Sequence, residues 1–300
     1  PDASMKIYAA KGRPSDNPLI VHITNLGALE KITKNVPEET KKIADAYWPG
    51  PLTMIFEKSE AVPYGTTGGL DTVAVRMPSD EVARALIDVG GGYIAAPSAN
   101  TSGRPSPTMA EHVEEDLTGR IDMILDGGPV SIGLESTILD MTVTPPMILR
   151  PGAITKEMLE ACIGEVTVDK AVIKPNQRPK APGMKYRHYA PKADLSIVEG
   201  EMSKVISKIN ELAAEQVKAG HKVGIIGTEE SVANYICGDV KSIGTREDES
   251  TIAVHLFAIL REFDADQVDY IYSESFDTEG IGSAIMNRLL KAAGHHVITV

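Results

Sequence analysis

KAVIKPNQRPKAPGMKYRHYAPKA, residues 170–193, holds seven cations, four prolines (Pro175, Pro179, Pro182 and Pro191) and no carboxylate, in a chain of net charge -12. Proline fixes φ and favours an extended, semi-rigid chain. The inner stretch APGMKYRHYAPK is too punctuated for a core helix and too polar for a buried strand. It therefore reads as a linker, and it divides the 300 residues in two. Residues 1–193 carry 21 Lys and Arg against 24 Asp and Glu, a net of -3, whereas residues 194–300 carry 9 against 18, a net of -9. We assign a first domain to 1–168, a basic linker to 169–193 and a small acidic domain to 194–300.

Beyond the linker the pattern is regular. LSIV, KVGIIG, VDYIY and HVITV read as strands, separated by helical stretches such as SKVISKINELAAEQVKAG, TIAVHLFAILREF and IGSAIMNRLLKAA. Strands alternating with helices of this length predict a small, Rossmann-like parallel α/β sheet. No GxGxxG follows a strand there, so dinucleotide binding has no support from the pattern. The first domain is less regular. PLIVHI, LTMIFE, TVAVRM, YIAA, DMILD, STILDM and PMILR read as strands, with helices near 2–11, 38–48, 79–89, 108–116 and 155–163. Short strands with irregularly placed helices predict an α/β domain of α+β character, its sheet mixed rather than purely parallel.

Composition narrows the function. A 42% hydrophobic and 24% charged chain is that of a globular protein. No apolar run is long enough for a transmembrane helix, and Cys162 and Cys237 suit a reducing cytoplasm. The seven histidines form no pair at metal-ligand spacing, so no metal site is expected. The opening PDASMKIYAAKG lacks an initiator methionine and reads as the middle of a helix ending at Gly12, so a natural N-terminal segment is expected ahead of it.

There is no P-loop, nucleophile elbow or HExxH helix. Compact polar clusters occur instead, in turns. KGRPSDNPL sets Lys11 and Arg13 beside Asn17; PSANTSGRPSPT gathers Ser98, Asn100 and Thr101 after an apolar strand; LDTVAVR puts Thr72 and Arg76 on one strand face; LESTI and ILRPGA supply Ser136 and Arg150. Singly, each has a structural explanation: a helix-end cation facing the macrodipole, or a hydroxyl making a turn. Together they suit a bound polyanion, with cations neutralising charge and hydroxyls fixing geometry.

KGRPSDNPLIVH, PSANTSGRPS, GLDTVAVRMP, ESTILD and ILRPGAI together resemble the YrdC-like domain of threonylcarbamoyl-AMP synthases. The linker and the acidic domain resemble the two-domain branch of that family. The resemblance implies a twisted mixed sheet with a concave active-site face, and a cytoplasmic nucleotidyltransferase. The expected reaction makes threonylcarbamoyl-AMP and pyrophosphate from L-threonine, bicarbonate and ATP, for a threonylcarbamoyl modification of tRNA completed by downstream transferase machinery. Mg2+ would accompany the ATP. By the same resemblance, Lys11 and Arg13 are catalytic. ATP contacts fall on Arg13, Asn17, Thr72, Asn100, Thr108, Arg150 and Tyr189, and threonine contacts on His22, Arg76, Ser98 and Ser136. The family's opening strand and Thr- and Gly-rich turn, which help to hold threonine, are not among these residues. The linker, with Lys185, Arg187 and Tyr189, would close over the nucleotide as a lid.

Two alternatives stand beside this reading. An RNA-binding module would explain a seven-cation ribbon, but the acidic second domain would repel phosphate backbones and no RNP-type motif occurs. A carbamoyl transferase of metallocentre maturation shares the first domain, but it needs zinc-finger cysteines that this chain lacks.

Overall fold

Short runs of β-branched and aliphatic residues bounded by Gly, Pro and Asn form the strands, because such side chains fill a pleated, half-buried surface. In the first unit these are β1 (Ile20–His22), β2 (Leu52–Glu57), β3 (Thr72–Arg76), β4 (Ile94–Ala96), β5 (Thr137–Asp140), β6 (Met147–Arg150) and β7 (Thr167–Val168). The computed structural model describes residues 2–169, 181 and 188–300. The predicted lid, with Lys185 and Arg187, lies outside the described residues; Tyr189 lies within them.

The seven strands lie in the order β4-β1-β3-β2-β5-β6-β7. Parallel pairs (β1 with β3, β2 with β5, β6 with β7) alternate with antiparallel ones (β1 with β4, β2 with β3, β5 with β6), so the sheet is mixed. The helices are α1 (Asp2–Lys11), the single turns α2 (Leu29–Ile32) and α4 (Tyr64–Thr67), α3 (Glu39–Tyr47), α5 (Glu81–Val89), α6 (Ala110–Leu117) and α7 (Lys156–Ile163). Leu52, Met54, Val75 and Leu139 pack into one core with Ile43 and Leu159 from α3 and α7. Ile20, Ile55, Ala74 and Ile138 form a second, smaller apolar cluster.

One expected strand is absent. DMILD (122–126) is irregular, with Met123 and Leu125 exposed, and the seventh place in the sheet is taken by β7. An apolar run becomes a strand only where it finds a sheet edge to pair with, and this run pairs with no strand among the described residues.

In the second unit β8 (Asp194–Glu199), β9 (Val223–Gly227), β10 (Asp239–Ser242), β11 (Tyr270–Glu274) and β12 (Val297–Thr299) lie in the order β10-β9-β11-β8-β12, every pair parallel. α9 (Glu249–Asp266) and α10 (Gly280–Ala292) bury Leu256, Phe257, Phe263 and Leu289 with Ile197 and Ile271. α8 (Met202–Lys218) packs Val205 and Ile209 with Val198, Val223 and Ile225. The units are not strictly consecutive: residues 103–115 and 128–134 fold with the second unit. No helix of the described residues is long and apolar enough to cross a membrane.

Candidate active site

α1 delivers Lys11 to the start of the turn 12–18. Gly68 makes room for that turn: it sits at φ +62, and a Cβ there would lie 2.7 Å from Asp16 O. Arg13 folds back on the turn, donating from Nε to Asn17 O (3.2 Å) and from Nη2 to Asn17 Oδ1 (2.7 Å) and Pro18 O (2.9 Å). Asn17 is 1% exposed, and its Nδ2 is buried without a hydrogen-bond partner. A buried amide donor left unmet is costly unless a ligand meets it.

The turn after β4 meets this one at Lys11. The ammonium donates to Ser98 O, Asn100 O and Asn100 Oδ1, the last at 3.2 Å. Ser98 Oγ donates to the same Asn100 Oδ1 at 2.6 Å. Lys11 is buried, and burial, then the charge of Arg13, lowers its pKa from 10.5 to about 7. Asp116, which accepts from Thr101 N at 2.9 Å, opposes that shift. Lys11, Arg13, Asn17, Ser98 and Asn100 are thus brought together.

A second group forms where β1, β2, β3 and the start of β5 adjoin. Arg76 uses only Nε on the protein, donating to Gly50 O at 3.0 Å, and no carboxylate pairs with it among the described residues. Burial, then the charge of Arg150, lowers its pKa to about 10. His22 is in register with Arg76, and its pKa falls to about 4 through burial and the Arg76 charge. Its Nδ1 is buried without a hydrogen-bond partner. Arg150 donates to Ser136 O from Nε (3.1 Å) and Nη2 (2.9 Å), and to Ser136 Oγ from Nη2 (3.2 Å). The loop after Arg150 can lie this close because residue 152 is glycine: a Cβ there would sit 2.5 Å from Thr137 N.

The remaining expected contacts are placed differently. Thr72 stands on β3 opposite Glu57, two strand periods from Arg76. Thr108 and Tyr189 belong to the second unit. Thr108 N donates to His112 Nδ1 at 3.1 Å. Tyr189 is buried in that unit's core, 5.1 Å from the Phe257 ring centroid. One residue at the site escaped the sequence reading. Thr53, fully buried on β2, lies 2.7 Å from Ser136 Oγ through its hydroxyl. In LTMIFE a threonine reads as β-branched filler. The available signal was its strand parity, which puts it across from Arg76.

Four cations, Lys11, Arg13, Arg76 and Arg150, donate to carbonyl, amide and hydroxyl oxygens on a mixed α/β sheet, an arrangement that suits an enzyme site for anionic ligands. The sequence agrees with this reading. Residues 1–152 match the family model described as Telomere recombination, and residues 154–294 match that of the threonylcarbamoyl-AMP synthase C-terminal domain. A threonylcarbamoyl-AMP synthase of Bacillus subtilis is 52% identical, covering 99% of this chain and 85% of its own length. One of Pyrococcus abyssi is 50% identical over 100% of this chain and 86% of its own. The crystal structure of P. abyssi Sua5 complexed with L-threonine superimposes with a TM-score of 0.94 at 48% identity, over 100% of this chain and 86% of that one. The chain belongs to the threonylcarbamoyl-AMP synthase family, whose members are transferases.

Proposed function

We propose that this protein is the nucleotidyltransferase of that name, joining L-threonine, bicarbonate and ATP into threonylcarbamoyl-AMP with release of pyrophosphate. The observation that carries the reading is the placement of Arg76. It is a largely buried guanidinium without a carboxylate partner among the described residues, beside neutral His22 and a hydroxyl held by Arg150. Guanidinium binds carboxylate through two parallel hydrogen bonds, so Arg76 suits the threonine carboxylate. His22, uncharged near neutral pH, offers hydrogen bonding without repelling the amine, and Ser136 offers a hydroxyl. A relative was crystallised with L-threonine, which supports this half of the site.

Lys11 and Arg13, with Asn17 and Asn100, suit the nucleotide. Adenylation requires an anionic carbamate oxygen to approach the α-phosphate. Two fixed cations on one turn lower that repulsion and stabilise the charge that develops in the transition state. In this reading Thr72, Thr108, Arg150 and Tyr189 are further ATP contacts and Ser98 a further threonine contact. Mg2+ enters with ATP. No cluster of three acidic, His or Cys side chains that could hold a metal occurs among the described residues, so phosphates and water would carry it. The free cysteines, Cys162 and Cys237, fit a cytoplasmic setting in which the product passes to the tRNA-modifying transferase machinery.

The test is pyrophosphate release from ATP by the purified protein. It is expected only when threonine and bicarbonate are both present. Release of orthophosphate instead would overturn the adenylation chemistry.

A further inference from the structure

We propose that Thr53 is a positioning residue that makes the Ser136 hydroxyl an obligate hydrogen-bond donor toward the ligand. The inference deepens the reading of Ser136 as a threonine contact and rests on it. Thr53 is 0% exposed and Ser136 2%. Their hydroxyl oxygens are 2.7 Å apart, and either could donate. Arg150 Nη2 lies 3.2 Å from Ser136 Oγ, and a guanidinium can only donate.

Within the protein either direction leaves one hydroxyl proton without an acceptor among the described residues, and a ligand acceptor that reaches Ser136 but not Thr53 decides between them. A hydroxyl has one proton and two lone pairs. Ser136 Oγ is the sole hydrogen-bond neighbour of the Thr53 hydroxyl among the described residues. Were Ser136 the donor, the Thr53 proton would be stranded in the sheet with no acceptor, which costs free energy. With Thr53 as donor, its proton and that of Arg150 fill both lone pairs of Ser136 Oγ. The Ser136 proton is then the last open valence, and the protein offers it no acceptor among the described residues. Such a hydroxyl selects an acceptor oxygen, and the anionic carboxylate of an amino acid is the strongest one in the proposed reaction.

Position supports the same conclusion. Thr53 is paired with Arg76 across β2 and β3, so the donor that sets Ser136 and the guanidinium that faces the carboxylate are fixed by adjoining strands. Arg150 is bound to the Ser136 carbonyl as well, which holds the serine backbone while Thr53 sets its hydroxyl.

The experiment measures threonine binding by calorimetry, and pyrophosphate release, for the wild type, Thr53→Val and Thr53→Ser. Valine keeps the shape and removes the hydroxyl. Thr53→Val should weaken threonine binding about tenfold, raising KM for threonine with kcat and the KM for ATP little changed, and Thr53→Ser should restore it. In a Ser136→Ala background, Thr53→Val should cause no further loss. Should Thr53→Val not fold, Thr53→Ala, which also lacks the hydroxyl, must show the same loss. Unchanged threonine affinity in the Val variant, or an equal loss without Ser136, would overturn the assignment of Thr53 while leaving the enzyme's reading intact. Failure of the wild type to bind threonine would overturn both.

Discussion

His22 and Arg76 stand in register across the parallel pair of β1 and β3, and the arginine's charge adds to burial in keeping the imidazole neutral. The folded pKa, about 4, lies below the ordinary 6.5. A depressed histidine costs nothing above pH 6.5 and destabilises the fold progressively as pH falls from 6.5 toward 4, by up to about 3 kcal/mol. Urea unfolding from pH 7 to 4 should therefore show a smaller loss of stability for His22→Asn than for the wild type. Parallel curves would show that the imidazole is not held neutral.

Lys11, lowered to about 7, is largely neutral at pH 8 in the free protein. Phosphates beside it favour the ammonium, so ATP binding at pH 8 should take up a proton. Calorimetry in buffers of different ionisation enthalpy measures this uptake. Lys11→Met, which keeps the apolar stem, should abolish it and lower turnover about 10²-fold or more, as other losses of preorganised charge do. Equal uptake by wild type and variant would remove Lys11 from the nucleotide site.

Arg76→Lys keeps the charge but not the fork. Loss of two-point recognition should raise the KM for threonine about tenfold, with ATP binding nearly unchanged. A matching rise for ATP would mean that Arg76 serves phosphate rather than carboxylate.

Among amino acids, a site that hydrogen-bonds a substrate hydroxyl should reject valine far more strongly than serine, because valine leaves buried partners unmet whereas serine lacks only a methyl. Competition assays with the two amino acids measure this. Equal use of valine and threonine would exclude hydroxyl recognition by His22 and Ser98.

The second sheet was legible because VGIIG and YIYSE are buried strands flanked by helices of regular apolar spacing. β10 was not, because DVKS has no apolar run and lies at the sheet edge. The mixed character of the first sheet could be anticipated, but DMILD shows that local propensity cannot supply the pairing partner on which a strand depends. At the site, Lys11, Arg13 and Asn17 were readable from spacing in one turn. The depth of Lys11 was not. It looks like a surface helix end in sequence and becomes 4% exposed only when residues 98–100, far along the chain, close over it. Thr53 was hidden for the opposite reason: its surroundings in sequence are apolar, and its polar partner is 83 residues away.

Arg104, Glu115 and Leu134 precede the linker in the chain, yet their partners follow it. Arg104 Nη2 lies 3.6 Å from Asp264, Arg261 Nη1 lies 3.4 Å from Glu115, and Leu134 joins the core of Phe257 and Leu260. Splicing a foreign C-terminal domain onto residue 193 would leave these side chains facing a surface to which they were never matched. Recombination at the linker is therefore not a clean exchange of modules. Either Arg104, Glu115 and Leu134 travel with the new domain, or the hybrid must re-adapt them.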